Sequence, residues 1–208
     1  MRLEKRYQHR YQYQVSYTLA KMEDNGLTGR VTDFFHPGQD FGPATPDRRH
    51  ALVASGSVLL PGDVTFGAVW QLRSNGPFSA IAGVDINKDG FLTDFVPGTT
   101  RNQGSRNLDL ALVNAWRVAN AKAPISASQF DSNRFNDLDI RVTKAIELGT
   151  NRKLELVAHV FNVFGTNNLL IPGLDLSGRI TNALSDSFGK IVTANPRQQA
   201  EIGVRFVF

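Results

Sequence analysis

The residues with the clearest potential for chemistry form the stretch DINKDG, residues 85–90, which is followed by an aspartate at position 94. Asp85, Asn87 and Asp89 place side-chain oxygens at the first, third and fifth positions of a calcium-type loop. Gly90, at the sixth position, allows the sharp turn that such a loop requires. The spacing therefore predicts an oxygen-rich site for a hard cation such as Ca²⁺.

This calcium motif is incomplete at its end. The twelfth position, where an EF-hand carries a bidentate glutamate, is Val96. The remaining oxygen donors are the Asp94 carboxylate, at the tenth position, and the main-chain carbonyl of Phe91. We predict a weak calcium site that would stiffen its loop, built from Asp85, Asn87, Asp89, Phe91 and Asp94. An Asx-rich turn without a metal is the alternative that the sequence leaves open.

Other chemistry has little support in the sequence. Cysteine is absent, and the four histidines show no spacing typical of a zinc site: His9, His36, His50 and His159. No set of nucleophile, base and orienting residue is recognisable, and no glycine-rich phosphate loop follows a strand. The net charge of +4 is spread along the chain without a basic stripe or a nucleic-acid-binding motif. We therefore predict a protein that is not an enzyme and has no nucleic-acid partner.

Six segments alternate apolar and polar residues with a period of two, which indicates β-strands with one apolar face. In the first segment, Arg6–Ala20, every second residue from Tyr7 to Leu19 is aromatic or aliphatic apart from His9. The residues between them are polar almost throughout. The other five segments are residues 50–60, 64–74, 137–148, 153–164 and 198–208.

Seven charged residues fall on the polar faces of these segments: Arg10, Arg73, Asp139, Arg141, Glu155, Glu201 and Arg205. Such residues can bind a polar solute, or they can pair between neighbouring strands. Opposite charges on one sheet face stabilise strand register, which favours pairing. The sequence therefore assigns no substrate-binding residue.

Short and long connections alternate between the segments. Pro61–Asp63 and Gly149–Arg152 are tight turns, whereas the links at about Lys21–Arg49, Gly83–Arg134 and Gly165–Pro196 are long. Both tight turns fall at one end of the strands if the carboxyl terminus also lies there. Short turns at one end and long loops at the other are typical of outer-membrane β-barrels.

The second long connection contains a helical pattern. Leu108, Leu112, Val113 and Trp116 lie at helical spacing, and Pro124 stops the run. We predict a short helix that covers the barrel mouth or a neighbouring loop. Binding of a partner by this helix is the less favoured alternative, because apolar helix faces usually pack locally.

The alternating segments are longer than the strands of a typical soluble protein, which have about 5–6 residues. Long structureless loops also argue against a compact soluble domain. We predict an all-β fold: an antiparallel up-and-down transmembrane β-barrel segment of about six strands, with long outer loops and one short loop helix. Bacterial single-chain barrels begin at about eight strands, so this barrel would be incomplete, and its free edges would need further strands.

Four stretches together resemble a known family: VSYTLAKMEDN (Val15–Asn25), the segment Asp47–Asp94, the segment Asn133–Leu169 and PRQQAEIGVRFVF (Pro196–Phe208). They are similar to the carboxyl-terminal barrel end of TonB-dependent outer-membrane receptors, in particular the Oar-like group, which carries a carboxypeptidase-regulatory-like domain at its amino end. The resemblance covers nearly the whole chain. It implies a place in the outer membrane, a barrel of about 22 strands with a plugged lumen, and uptake of a scarce solute energised through TonB.

On this resemblance, residues 1–208 are the carboxyl-terminal portion of a receptor barrel, without plug or TonB box. The start MRLEKRYQHR also lacks the apolar segment of a secretory signal, so we expect a fragment or one part of a split receptor. The expected partners are outer-membrane lipid, the remaining barrel and plug, and TonB only through the missing amino-terminal part. Two alternatives stay open: a soluble β-rich binding or adhesion module with a calcium-stiffened loop, and a pore in which several chains share one barrel.

Overall fold

A computed structural model describes residues 1–26, 32–33, 35–150, 152–169 and 178–208. Its strands are β1 (Arg2–Gln8), β2 (Tyr11–Leu19), β3 (Glu23–Asp24), β4 (Gly42–Pro43), β5 (His50–Leu60), β6 (Val64–Arg73), β7 (Phe135–Glu147), β8 (Lys153–Phe161) and β9 (Gln199–Val207). Seven of these strands form one antiparallel sheet in the order β1-β2-β5-β6-β7-β8-β9, and β3 pairs separately with β4. The sheet does not close on itself: β1 and β9 are its two edges. The predicted all-β antiparallel fold is confirmed.

The first predicted strand, Arg6–Ala20, is instead part of a hairpin, which raises the number of strands in the main sheet from six to seven. β1 and β2 meet at His9 and Arg10, whose φ angles of 56° and 71° belong to a left-handed two-residue turn. Gln8 pairs with Tyr11 across this turn. The alternation of apolar and polar residues did not reveal this turn, because the turn residues are His-Arg and not the Asn-Gly or Asp-Gly that is usual in such a hairpin.

The two ends of the sheet differ as the sequence predicts. Among the described residues, three short connections lie at one end, here called the turn end: His9–Arg10, residues 61–63, and the link in which Leu148 and Arg152 are hydrogen-bonded. Residue 151 of that link lies outside the described residues. The other end, the loop end, carries loop 1 (residues 20–49), loop 2 (residues 74–134) and loop 3 (residues 162–198). Both β1 and β9 consequently run from the loop end towards the turn end.

Ladder pairing aligns residues in rows across the sheet. One row on the apolar face contains Tyr11, Val58, Phe66, Val142, Ala158 and Ile202. The next row, on the polar face, contains Gln12, Ser57, Gly67, Arg141, His159 and Glu201. Tyr11 is 41% exposed and Ile202 is 90% exposed, while Phe66 and Ile140 are partly exposed. The described residues therefore place no second layer over the apolar face, in contrast to a soluble sandwich.

The apolar core of the described residues lies in the loops rather than between sheets. Its members are Phe78, Ala80, Val96, Val113, Ile125, Ala183 and Phe188, contributed by loops 2 and 3. The rings of Phe78, Phe130 and Phe188 meet edge to face, with centroids 5.5–6.0 Å apart. We call the three packed loops the loop cap.

The helix predicted in loop 2 is present as α1 (Leu110–Ala119). The side chain of Asp109 caps its first turn by accepting two backbone N–H bonds, which a short polar N-cap residue is suited to do. Val113 is fully buried, and the Trp116 indole donates a 3.0 Å hydrogen bond to the carbonyl of Ala82. The helix therefore packs within the loop cap. No helix in the described part of the chain is long and apolar enough to cross a membrane.

Candidate functional site

Six of the seven predicted polar-face charges do lie on the polar face of the sheet; the assignment of Arg10 to a strand face was wrong, because Arg10 lies in the β1–β2 turn. Glu155 pairs with Lys153 at 2.7 Å and approaches Arg205 at 3.8 Å. Asp139 accepts a 3.0 Å hydrogen bond from the backbone of Asn162 at the end of β8. Part of this charge therefore stabilises the sheet itself.

The polar face also contains a trough of about 560 Å³. Its lining side chains include Gln12, Gln14, Ser55, Ser57, Asp139, Arg141 and His159. Amides and hydroxyls from β2 and β5 lie between two sets of titratable groups, Glu4 and Arg6 of β1 on one side and those of β7 and β8 on the other. Gly67 separates Ser57 from Arg141 in the row and leaves the middle of the trough open. This arrangement offers many hydrogen bonds to a polar solute or to a polar protein surface.

Loops 1 and 2 are joined by buried polar contacts. Asp47 is 2% exposed, and its carboxylate and carbonyl accept hydrogen bonds of 2.6 and 3.0 Å from the guanidinium of Arg106. Arg101 forms an ion pair with Asp24. Asn102, which is 3% exposed, donates a 2.7 Å hydrogen bond to the carbonyl of Pro43. These contacts anchor loop 1 from both of its ends.

Loops 2 and 3 are joined through Arg117 of α1, which is 2% exposed. Its guanidinium donates to the carbonyls of Ala183 and Ser185 in loop 3, the latter at 2.9 Å. A further 2.7 Å bond reaches the carbonyl of Ala123 just beyond the helix. Asp186, 4.0 Å away and largely exposed, supplies the nearest carboxylate. The buried charge of Arg117 is therefore stabilised mainly by the dipoles of the backbone carbonyls to which the guanidinium donates.

A second loop-cap arginine, Arg179, lies against the aromatic cluster. Its guanidinium carbon is 4.4 Å from the centre of the Phe78 ring, and it donates a 2.9 Å hydrogen bond to the carbonyl of Asp131. Burial lowers the pKa of Arg179 to about 10, against the opposing effect of the Asp131 carboxylate. The group remains charged at neutral pH, which suits a cation–π contact.

The four histidines lie apart: His9 in the β1–β2 turn, His36 in loop 1, His50 at the start of β5 and His159 in β8. His36 Nδ1 lies 2.7 Å from the carboxylate of Asp33, and this hydrogen bond is the main cause of the lowered pKa of Asp33. Within the described residues, no three histidine, aspartate or glutamate side chains are grouped so as to hold a metal ion.

The predicted calcium loop is held together by hydrogen bonds between its own side chains and backbone. The Asp85 carboxylate accepts bonds from the backbone N–H groups of Asp89 at 3.1 Å and Gly90 at 2.8 Å. Asn87 and Asp89 each accept from the backbone N–H two residues further on, which makes two Asx turns. The loop thus has a stable hydrogen-bonded form that needs no metal.

Asp94 closes the same loop from its far end. It is 6% exposed, and its carboxylate accepts a 2.6 Å hydrogen bond from the backbone of Ile86. Asn87 donates a 3.0 Å bond to the carbonyl of Thr32, which attaches the loop to loop 1. Calcium binding by Asp85, Asn87, Asp89, Phe91 and Asp94 stays a prediction.

Calcium titration separates the two interpretations of this loop. If the loop binds Ca²⁺ with a dissociation constant near about 1 mM, about 10 mM Ca²⁺ should stabilise the loop cap by about 1.4 kcal/mol. A thermal melt followed by the fluorescence of Trp116, in a Trp70→Phe background that leaves it the single tryptophan, would detect that shift, and Mg²⁺ is the control cation. The double variant Asp85→Asn, Asp89→Asn removes two of the carboxylates and should lose the response. Asn at position 85 keeps only one of the two oxygens that accept from Asp89 and Gly90, so each melt is compared with that of the same variant without calcium. An unchanged melting temperature in the parent chain would favour the metal-free turn.

The sequence contained no direct signal for the arginines that join the loops, of which Arg117 and Arg179 are buried and Arg106 is partly buried. Arg106, Arg117 and Arg179 are scattered in loops or on one helix face, and their partners are mostly backbone carbonyls far away in sequence. The position of Arg117, four residues after the apolar Val113, was the one hint, since residues four apart share a helix face.

Comparison with known proteins agrees with this geometry. A family model described as outer membrane beta barrel domain matches residues 1–201. The chain belongs to this family. Comparison with curated proteins and with solved structures found no match. This outer-membrane β-barrel protein has its apolar face on the lipid side and its polar face on the lumen side, as barrels of this kind do. In bacterial outer-membrane barrels the short turns face the periplasm and the long loops lie outside the cell, so we expect the same orientation for the turn end and the loop cap.

Proposed function

We propose that this outer-membrane barrel protein forms part of the wall of a TonB-dependent receptor that takes up a scarce solute. Residues 1–208 would be the carboxyl-terminal portion of that barrel, with plug and TonB box supplied by another part of the receptor. The observation that carries the proposal is the open seven-stranded sheet with one polar face. Single-chain bacterial barrels begin at about eight strands, so this sheet needs further strands to close. The family resemblance of the strand sequences supports the same assignment.

Strand direction supports a larger barrel over a ring of identical chains. The edge strands β1 and β9 both run from the loop end to the turn end, so joining them within one chain or between copies would make a parallel seam. Bacterial outer-membrane barrels are antiparallel and have an even number of strands. Seven strands then require an odd number of further strands, the outermost of which run opposite to β1 and β9. A barrel of about 22 strands would need about 15 more.

The two candidate surfaces have separate roles in this proposal. The loop cap would meet the solute outside the cell, and the trough on the polar face would contact either the solute or the plug inside the lumen. We propose no catalytic role. The soluble binding module is disfavoured, because the apolar face remains uncovered by the described residues.

Crosslinking at the sheet edges tests the proposal. Because residues 1–208 contain no cysteine, each crosslink can be assigned to the cysteine that was introduced. Single cysteines at Glu201, Gly203 and Arg205 of β9 should crosslink to one receptor strand in descending order along its sequence, as antiparallel pairing requires. A cysteine that replaces Glu4 of β1 should crosslink in the same way to a second receptor strand. Crosslinks between β1 and β9 of two copies would instead establish an oligomeric pore.

Two further measurements complete the test. Uptake by cells that produce the whole receptor should stop when TonB is depleted; uptake that persists would leave a barrel without TonB dependence. A chain that stays folded and monomeric in buffer without detergent would contradict the proposal and support the soluble module.

A further inference from the structure

A second cavity, of about 690 Å³, lies on the lipid side of the sheet just below the loop cap. Tyr17, Leu52, Leu72 and Asn136 form one row of the apolar face at its floor. His50, Ser74 and Arg134 lie one step nearer the loop end, and Ser132, Thr166 and Asn167 come from loops 2 and 3. We call this cavity the rim pocket.

The rim pocket is apolar towards the membrane and polar towards the outside. Leu52 and Leu72 provide aliphatic surface, whereas the Tyr17 hydroxyl lies 2.8 Å from His50 Nδ1 at the upper edge. Trp70 neighbours the floor, and its indole donates a 2.9 Å hydrogen bond to Asn136. Tyrosine and tryptophan rings of this kind mark the level where lipid headgroups meet acyl chains.

The charge of the rim pocket is positive. Arg134 supplies this charge. Arg73 also lines the pocket, but its side chain belongs to the polar face, where its guanidinium contacts Gln71 and the ring of Phe135. None of the described residues that line the pocket is aspartate or glutamate. The guanidinium of Arg134 is exposed and has no hydrogen-bond or ion-pair partner among the described residues. Ser132, two residues earlier, adds a hydroxyl beside it. A guanidinium with free donors near hydroxyl groups is suited to a phosphate.

We propose that the rim pocket binds one membrane lipid with an anionic phosphate headgroup. The phosphate would pair with Arg134, and an acyl chain would lie over Leu52 and Leu72. The Ser132 hydroxyl, which donates to Asn75 at 2.9 Å, would have to turn from Asn75 to donate to the phosphate. A lipid is favoured over a free anion because the pocket opens on the face that meets acyl chains, and its aliphatic floor would gain nothing from inorganic phosphate. The inference rests on the family's place in the outer membrane and does not depend on TonB-linked uptake.

Native mass spectrometry of the full chain in non-ionic detergent tests the pocket. Phosphatidylglycerol and phosphatidylcholine with the same acyl chains are compared at equal concentration. One arginine near an anionic headgroup contributes about 1 kcal/mol, so we expect about fivefold preference for phosphatidylglycerol. The variant Arg134→Gln should abolish that preference, whereas Arg152→Gln, the same change at the turn end, should leave it intact.

A third variant keeps the test decisive if Arg134→Gln folds poorly. Arg134→Lys retains the charge and should retain most of the preference, while losing it would contradict recognition of an anionic headgroup. Persistence of the full preference in Arg134→Gln would also overturn the proposal. Displacement of phosphatidylglycerol by millimolar inorganic phosphate would show a free-anion site and overturn the choice of a lipid.

Discussion

Replacing Arg117 with methionine is expected to release loop 3 from α1 and to destabilise the loop cap by at least about 3 kcal/mol. The substitution preserves most of the buried apolar stem and removes the charged donors. Carbonyls of Ala123, Ala183 and Ser185 then lose their hydrogen bonds inside the cap. A hydrogen bond to a charged group contributes about 1.5–3 kcal/mol, and a buried carbonyl left without a donor adds a desolvation cost.

Hydrogen exchange gives the local readout for Arg117→Met. The backbone N–H groups of Ile81 and Ala183, which bond across loops 2 and 3, should lose protection while those of β5 and β6 keep it. Val118→Met is the matched control, because Val118 is on the same helix and is 60% exposed. Surface changes of that kind usually alter stability by less than about 0.5 kcal/mol. Equal protection in the two variants would mean that Arg117 does not hold the loops together.

The variant Gly104→Ala, which adds one methyl group, is expected to disrupt the aromatic cluster of the loop cap. A Cβ at this position would lie 2.4 Å from two ring carbons of Phe78, far inside van der Waals contact. Phe78 is 4% exposed and is held against Phe130 and Phe188, so its ring has little room to move. Overpacking of a core costs about 1–3 kcal/mol, and the rigid ring favours the upper part of that range.

Gly38→Ala is the control for Gly104→Ala. Gly38 lies in an exposed 3₁₀ turn of the same loop cap, and a Cβ there meets nothing within 4 Å. Denaturant unfolding followed by Trp116 fluorescence in the Trp70→Phe background should show a lower midpoint for Gly104→Ala and no loss for Gly38→Ala. Identical midpoints for the two variants would indicate that the Phe78 ring can shift without cost.

The strands were predictable because period-two alternation is a local signal. His50–Leu60 and Val64–Arg73 appear almost as the pattern predicts, with the tight turn between them. The hairpin of β1 and β2 was not predicted, because its turn lacks glycine and a two-residue break does not interrupt a long alternating run. Helix α1 was predictable because its apolar spacing is also local, but the predicted stop at Pro124 was wrong: the helix ends at Ala119 and is capped by Asn120.

The loop cap could not be predicted from the sequence, because its contacts join residues far apart in the chain. Asp47 and Arg106 are separated by 59 positions, and Arg117 and Ser185 by 68. No spacing rule relates such pairs, and a buried arginine looks like any surface arginine in the sequence. The rim pocket could not be predicted for the same reason, since Tyr17 and Arg134 come together only through the order of four neighbouring strands in the sheet.

The interlocking of three outer loops has a consequence for how antibodies and phages would meet the bacterial surface. Residues of loops 1, 2 and 3 are displayed together, so a typical footprint would combine segments that are distant in the gene. Sera raised against a linear peptide from one loop should recognise the native protein poorly. Vaccine or surface-display designs would need to transplant the three loops as one unit.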